Sequence, residues 1–129
     1  MTHSTRILIV DDEKPITTLL AQTFEQEGHE VATARDGIDC MNQMAAFRPD
    51  VVIMDIMMPK LDGVDTTRLI RRNDNYSDVL VVALSARSDE ETRQRMKEAG
   101  ANLFMRKPFV IAKLVDRVSR LLAARSGSR

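Results

Sequence analysis

Five short apolar runs recur along the chain, each followed by a stretch with helical spacing, and no other feature narrows the fold as much. The runs are Ile7 to Val10, Val31 to Ala34, Val51 to Met54, Val79 to Leu84 and Leu103 to Met105. All but the weaker second run are continuously apolar, where a half-exposed strand would alternate. A strand apolar on both sides must be covered on both sides, the condition of a parallel sheet flanked by helices. The intervening stretches supply those helices. Ile16, Leu19, Leu20 and Phe24 share one face, as do Ile38, Met41, Met44 and Ala45. Val64 to Arg72 carries a weaker stripe, and the fourth helix offers only Met96 and Ala99. Ile111, Leu114, Val115, Val118, Leu121 and Leu122 make a clear stripe on the last. Pro15 suits a first helical turn, Gly28 and Gly100 suit helix ends, and Ser88-Asp89-Glu90-Glu91 reads as a capping box. Asp36-Gly37, Pro49-Asp50, Pro59 and Gly63 mark the turns. The expectation is a doubly wound α/β domain over residues 6–124, with flexible termini at 1–5 and 125–129. Its crossovers should be right-handed.

Composition excludes several functions. The chain has 129 residues, enough to bury a core without disulfide or structural metal. Nineteen Lys plus Arg balance nineteen Asp plus Glu, so the footprint of a nucleic-acid binder is missing. The lone Cys40 admits no internal disulfide and fits a reducing cytoplasm. No segment has the length and apolarity of a membrane span or of a signal peptide, so no membrane partner is expected. Met41, Met44, Met54 and Met96 read as core filler. His3 and His29 have no metal-ligand partner near them in sequence.

In open parallel sheets, ligands bind beyond the carboxyl ends of the strands. The residues there are Asp11 and Asp12 after the first run, Asp55 after the third, Ser85 after the fourth and Lys107 after the fifth. If the first and third strands are neighbours, three carboxylates converge. Two like charges 4 Å apart repel by about 4 kcal/mol at an effective dielectric of 20. A hard cation removes that conflict, and an oxygen-only donor set suits Mg²⁺.

These residues resemble the receiver domains of two-component response regulators, over nearly the whole chain. The resemblance rests on the acidic pair in ILIVDDEKP, the acceptor segment VVIMDIMMPKLDG, the hydroxyl in VVALSAR and the segment GANLFMRKPF. It implies a flavodoxin-like five-stranded sheet in the order 2-1-3-4-5. It also implies that Asp55 accepts a phosphoryl group from a histidine kinase or a histidine phosphotransfer protein. By the same resemblance Asp12, Asp55 and the Met57 carbonyl bind Mg²⁺ (or Mn²⁺), and Asp11 acts through a coordinated water. Lys107 binds the phosphoryl oxygens, with the Ser85 hydroxyl and the Ala86 backbone amide. Ser85 and Phe104 form the switch, and a cis bond before Pro108 aims Lys107 inward. Such a domain is not an enzyme of other substrates; it catalyses only its own phosphorylation and dephosphorylation.

The resemblance further places the output face on the fourth helix, fifth strand and fifth helix. The partner there would be a downstream protein effector or an output domain of a longer chain. Winged-helix relatives pair acidic groups at the positions of Asn102 and Leu103 with basic ones on the last helix, and commonly have Glu at Lys113. Arg117 is present here without those acids, so a monomer before activation is expected. Phe104 lacks the hydroxyl a Tyr would bring, and Val110 replaces an oxygen-bearing helix cap. Met57 and Arg87, two past the acceptor and two past the hydroxyl, should shield a phosphorylated Asp55 from water. Lys107, taken as a surface-reaching cation, should be removable at little cost in stability. Two rivals remain. A flavin binder needs a Ser/Thr/Gly-rich loop where Asp11-Asp12 would repel its phosphate, and an Asp-nucleophile phosphatase needs a second Asp where Met57 stands.

Overall fold

The computed structural model describes residues 5–57, 62–86 and 90–127. Eleven elements follow in order: β1 (Arg6–Val10), α1 (Lys14–Gln26), β2 (Glu30–Ala34), α2 (Gly37–Phe47), β3 (Val51–Asp55), α3 (Gly63–Arg72), a 3₁₀ turn (Asp74–Tyr76), β4 (Leu80–Ser85), α4 (Glu90–Ala99), β5 (Leu103–Arg106) and α5 (Ile111–Gly127). All strands pair in parallel, in the order β2-β1-β3-β4-β5. The expected doubly wound α/β architecture and its strand order are both present.

The unbroken apolar runs explain the layering. Along β1, Ile7 and Ile9 face one side and join Leu20, Phe24, Leu114 and Val118. Leu8 and Val10 face the other and join Cys40, Met44 and Ile70. Successive strand residues point to opposite faces, so one strand feeds two cores. A smaller cluster of Ile56, Val64, Ala83, Met96 and Ala99 sits under α4.

Local chemistry sets the element ends. The Asp36 carboxylate accepts the Asp39 amide at 2.8 Å, and Asp62 accepts that of Asp65 at 2.9 Å, capping α2 and α3. Gly28 (φ +94°) and Gly100 (φ +115°) take left-handed conformations after α1 and α4, as their positions in sequence suggested. Arg48 (φ 55°) does the same after α2 without glycine's freedom. The capping box and Pro59 lie outside the described residues, apart from Glu90 and Glu91 in the first turn of α4. Val110 caps α5 by backbone alone: its carbonyl accepts from the Lys113 and Leu114 amides.

Three stripe residues are corrected. Leu19 is 50% and Ile38 54% exposed, and Ala45 is exposed too, because each lies at or beyond the margin of its helix's buried face. The last helix continues through Gly127 beyond Ala124, and Arg125 donates to the Asp78 carbonyl at 2.8 Å.

Arg71, at the end of α3, joins several elements. It donates to the carbonyls of Gly100 (3.0 Å) and Val79 (2.7 Å) and to Asn102 Oδ1 (2.8 Å). The same Asn102 oxygen accepts the Val81 amide at 2.8 Å. Its guanidinium thus fastens the last turn of α4 and the start of β5 to the beginning of β4.

Candidate functional site

The sheet order places β1 and β3 side by side, so Asp11, Asp12 and Asp55 leave the sheet together. Carboxylate oxygens of Asp11, Asp12, Glu13 and Asp55 lie within 4.8 Å of one another. Asp11 and Asp55 are buried, and Asp12 and Glu13 are exposed. Lys107 reaches into this cluster from the end of β5. Its ammonium stands 3.1 Å from Asp11 Oδ2, 3.3 Å from Asp55 Oδ2 and 3.9 Å from Glu13 Oε1. The Lys107–Pro108 bond is cis, as expected, and the Lys107 amide donates to the Ser85 carbonyl at 2.7 Å.

Lys107 lies deeper than the surface-reaching cation expected from sequence. Its side chain is 14% exposed, against 2% for Asp11 and 6% for Asp55. Burial opposes its charge, yet the hydrogen bond it donates to Asp11 and the charges of Asp55 and Asp11 outweigh burial and raise its pKa above the ordinary lysine value. Asp55 moves the opposite way from a simple ion pair. Burial raises its pKa; the Lys107 charge pulls it down, Asp11 pushes it up, and burial wins. The Asp55 carboxylate also accepts the Met57 amide at 3.1 Å. Gly63 packs against this junction so closely that a Cβ there would lie 2.7 Å from Ile56 Cα and 3.0 Å from the Asp55 carbonyl oxygen.

The donor set is all oxygen, carries several negative charges and sits partly open to solvent. It fits a hard divalent cation with retained waters, as Mg²⁺ prefers. Four carboxylates answered by one ammonium leave charge that such an ion would neutralise.

The other sequence-selected residues surround the cluster. Ser85 is wholly buried at the end of β4, in register with Arg106 of β5. Ala86 is exposed beside it. Phe104, half-buried on β5, packs on the cluster beneath α4, with the Arg93 guanidinium 5.6 Å from its ring centre. The Met57 side chain is 55% exposed, and Arg87 lies outside the described residues. Glu13 is the one member of the cluster that sequence reasoning missed, although its place next to Asp12 was the available signal. Cys40 has no part in the site; burial pushes its thiol up to about 12, which leaves it inert.

A five-stranded doubly wound sheet with carboxylates and one lysine at the strand ends defines an acidic-pocket α/β domain. The chain belongs to the response regulator receiver domain family, which matches residues 7–119. It is thus a receiver domain of the response regulators of two-component systems. The transcriptional regulatory protein PrrA of Mycobacterium tuberculosis is 43% identical over 125 residues, covering 97% of this chain and 53% of that protein. Response regulator MprA of the same species is 34% identical over 119 residues, covering 92% and 51%. The chain therefore spans about half the length of these curated relatives. The solved structure of Vibrio cholerae chemotaxis protein CheY4 superposes with a TM-score of 0.86 at 29% identity, covering 92% of this chain and 98% of that one. Among the described residues no helix is long and apolar enough to cross a membrane.

Proposed function

We propose that this receiver acts in the cytoplasm by accepting a phosphoryl group on Asp55 from the phosphohistidine of a histidine kinase or histidine phosphotransfer protein. The observation that carries this is the Asp55 carboxylate at a strand end, with Lys107 at 3.3 Å, inside a carboxylate cluster spanning 4.8 Å. In the transfer, an Asp55 oxygen bonds to phosphorus as the phosphorus–nitrogen bond breaks, and the electron pair stays on the imidazole. Phosphoryl transfer asks chiefly for positioning and charge neutralisation.

Asp12, Asp55 and the Met57 carbonyl would hold Mg²⁺ or Mn²⁺, with Asp11 acting through a water. When bound, the ion would supply positive charge to offset the negative charge of the transferring phosphoryl group. Lys107 then turns from the carboxylates toward the phosphoryl group, and Ser85 with the Ala86 amide donates to its oxygens. Engagement of the Ser85 hydroxyl lets Phe104 move inward beneath α4 and changes the α4-β5-α5 face. That face signals to a protein effector, or to an output domain in a longer chain such as those of the relatives. The domain is a phosphoacceptor, and its only catalysis is on its own acylphosphate. It is monomeric before activation.

Acetyl phosphate with Mg²⁺ should add one phosphoryl group by intact mass, and Asp55→Asn should abolish it. Modification retained in that variant, or undiminished in Asp12→Ala, would overturn the assignment.

A further inference from the structure

Phe104 has two kinds of neighbour. It packs against the buried cluster of Ile56, Val64, Ala83, Met96 and Ala99, and it also borders a cleft of about 300 Å³ between α4, β5 and α5. The Arg93 guanidinium lies over its ring, 5.6 Å from the centre. Two further cations, Lys97 and Arg117, line the same cleft. Among the described residues the cleft has no carboxylate and Arg93 has no acidic partner, so the ring face is what its charge meets. The phenyl ring carries no hydroxyl, so no hydrogen bond fixes its position. On the inner side the way is open. Ala83 is the register partner of Phe104, is fully buried, and shares its face of the sheet with Ser85 two residues on. On that face β4 therefore carries only a methyl group beside the ring, short of the buried Ser85.

We infer that Arg93 is a positioning residue for the switch: its guanidinium holds the Phe104 ring in the resting position, and capture of a phosphoryl group at Asp55 works against that contact. The reason is where the cation can go. Arg93 is exposed on the outer side of α4, whereas Thr92, Met96 and Ala99 are the buried residues of that helix. A ring that moves over Ala83 toward Ser85 enters the apolar cluster under the helix. The guanidinium cannot follow it there without giving up its water for neighbours that offer no hydrogen bond. The contact is therefore made in one position of the ring and lost in the other. An interaction present in only one of two states shifts their equilibrium by its own strength. By linkage it also shifts the affinity for any ligand that needs the other state. For an exposed cation–π contact the shift is a factor of about two to five. The inference rests on the Asp55 reading above and adds to it a residue that sets how readily the switch turns.

The test is the affinity for beryllofluoride, which mimics the phosphoryl group on Asp55, measured in excess Mg²⁺ from the amide resonances of ¹⁵N-labelled protein. Arg93→Met keeps the aliphatic stem and removes the charge. It should bind beryllofluoride about two- to fivefold more tightly than wild type. Arg93→Lys, which keeps a cation, should fall between the two. In a Phe104→Leu background Arg93→Met should leave the affinity unchanged, because the charge has no ring to hold. Arg93 is exposed, so its replacement does not threaten the fold, and the single variants decide the sign even if Phe104→Leu is unstable. Unchanged or weaker binding by Arg93→Met, a lysine variant as tight as the methionine one, or the same gain in the Phe104→Leu background would each overturn the inference. A wild-type protein that takes up neither beryllofluoride nor phosphate from acetyl phosphate would overturn the reading of Asp55 on which it rests.

Discussion

Replacing Lys107 by Ala tests whether the ammonium is what holds the carboxylate cluster together. Its attractions to Asp11 at 3.1 Å and Asp55 at 3.3 Å are about 5 kcal/mol each at an effective dielectric of 20. Desolvation of all three groups offsets most of this, and proton uptake by an orphaned carboxylate limits what remains. Breaking a buried pair typically costs about 3–5 kcal/mol, and the expected loss in metal-free protein is about 3 kcal/mol. At neutral pH that lowers the melting temperature by about 10 °C. A divalent cation should take over part of the role. At a hundred times its dissociation constant it adds about 2.7 kcal/mol to wild type. It should add more to the variant, where no ammonium competes for the same oxygens. Urea unfolding followed by circular dichroism, in EDTA and in excess Mg²⁺, reads both quantities. The gap between the proteins should be wide in EDTA and at least halved in Mg²⁺. A loss within about 0.5 kcal/mol in EDTA, the range of an ordinary surface substitution, would refute the reasoning. So would an equal loss under both conditions.

Three further substitutions probe the same construction. The Asp55 pKa is raised above its ordinary 3.8, so the folded state holds that proton more tightly than the unfolded chain. Metal-free stability should therefore fall as pH rises from the ordinary carboxylate value through the raised one. In Asp55→Asn that slope should flatten, leaving the variant more stable than wild type at neutral pH; parallel melting curves across pH would contradict this. Gly63→Ala forces its Cβ against backbone of Ile56 and Asp55, neither of which can turn aside. It should cost about 1–3 kcal/mol and slow phosphorylation by acetyl phosphate, whereas wild-type melting would show that the helix shifts freely. Arg71→Met keeps the aliphatic stem but strands the Gly100 and Val79 carbonyls, at about 2–3 kcal/mol. Amide exchange should quicken at Ala101 and Asn102, and unchanged protection there would argue that water replaces the guanidinium.

The sheet was legible because four of its five strands are continuously apolar and alternate with helical stretches, the pattern of a parallel sheet covered on both faces. The carboxylate–lysine cluster was legible because Asp11, Asp12, Asp55 and Lys107 stand at or just past strand ends, where topology gathers them. What escaped had physical reasons. Helical spacing shows the centre of a buried stripe but not its width, which is why Leu19 and Ile38 face solvent. The burial of Lys107 depends on how deep the cluster lies, a property of the fold and not of the residues beside it. Glu13 offers no signal in the sequence beyond its place next to Asp12; only the fold brings its carboxylate to stand with the aspartates. The bonds of Arg71 span up to 31 positions in sequence, to backbone carbonyls and a side-chain amide oxygen that leave no periodic trace.

Those bonds also hold the C-terminal end of α4 as a clamp holds the end of a beam. The Arg71 guanidinium grips the Gly100 carbonyl just past its last turn, whereas its long axis carries only Thr92, Met96 and Ala99 as buried anchors. Displacement then grows with distance from the clamp. On a ten-residue helix, about 15 Å long, a rotation of about 10° sweeps the far end by about 2.6 Å while the clamped end hardly moves. A change of less than an ångström beneath the helix would then become a step large enough for a partner to sense, without stretching any bond at the hinge. Spin labels at Glu90 and Glu98 should report unequal shifts on beryllofluoride addition, and equal shifts would mean that the helix slides as a rigid rod.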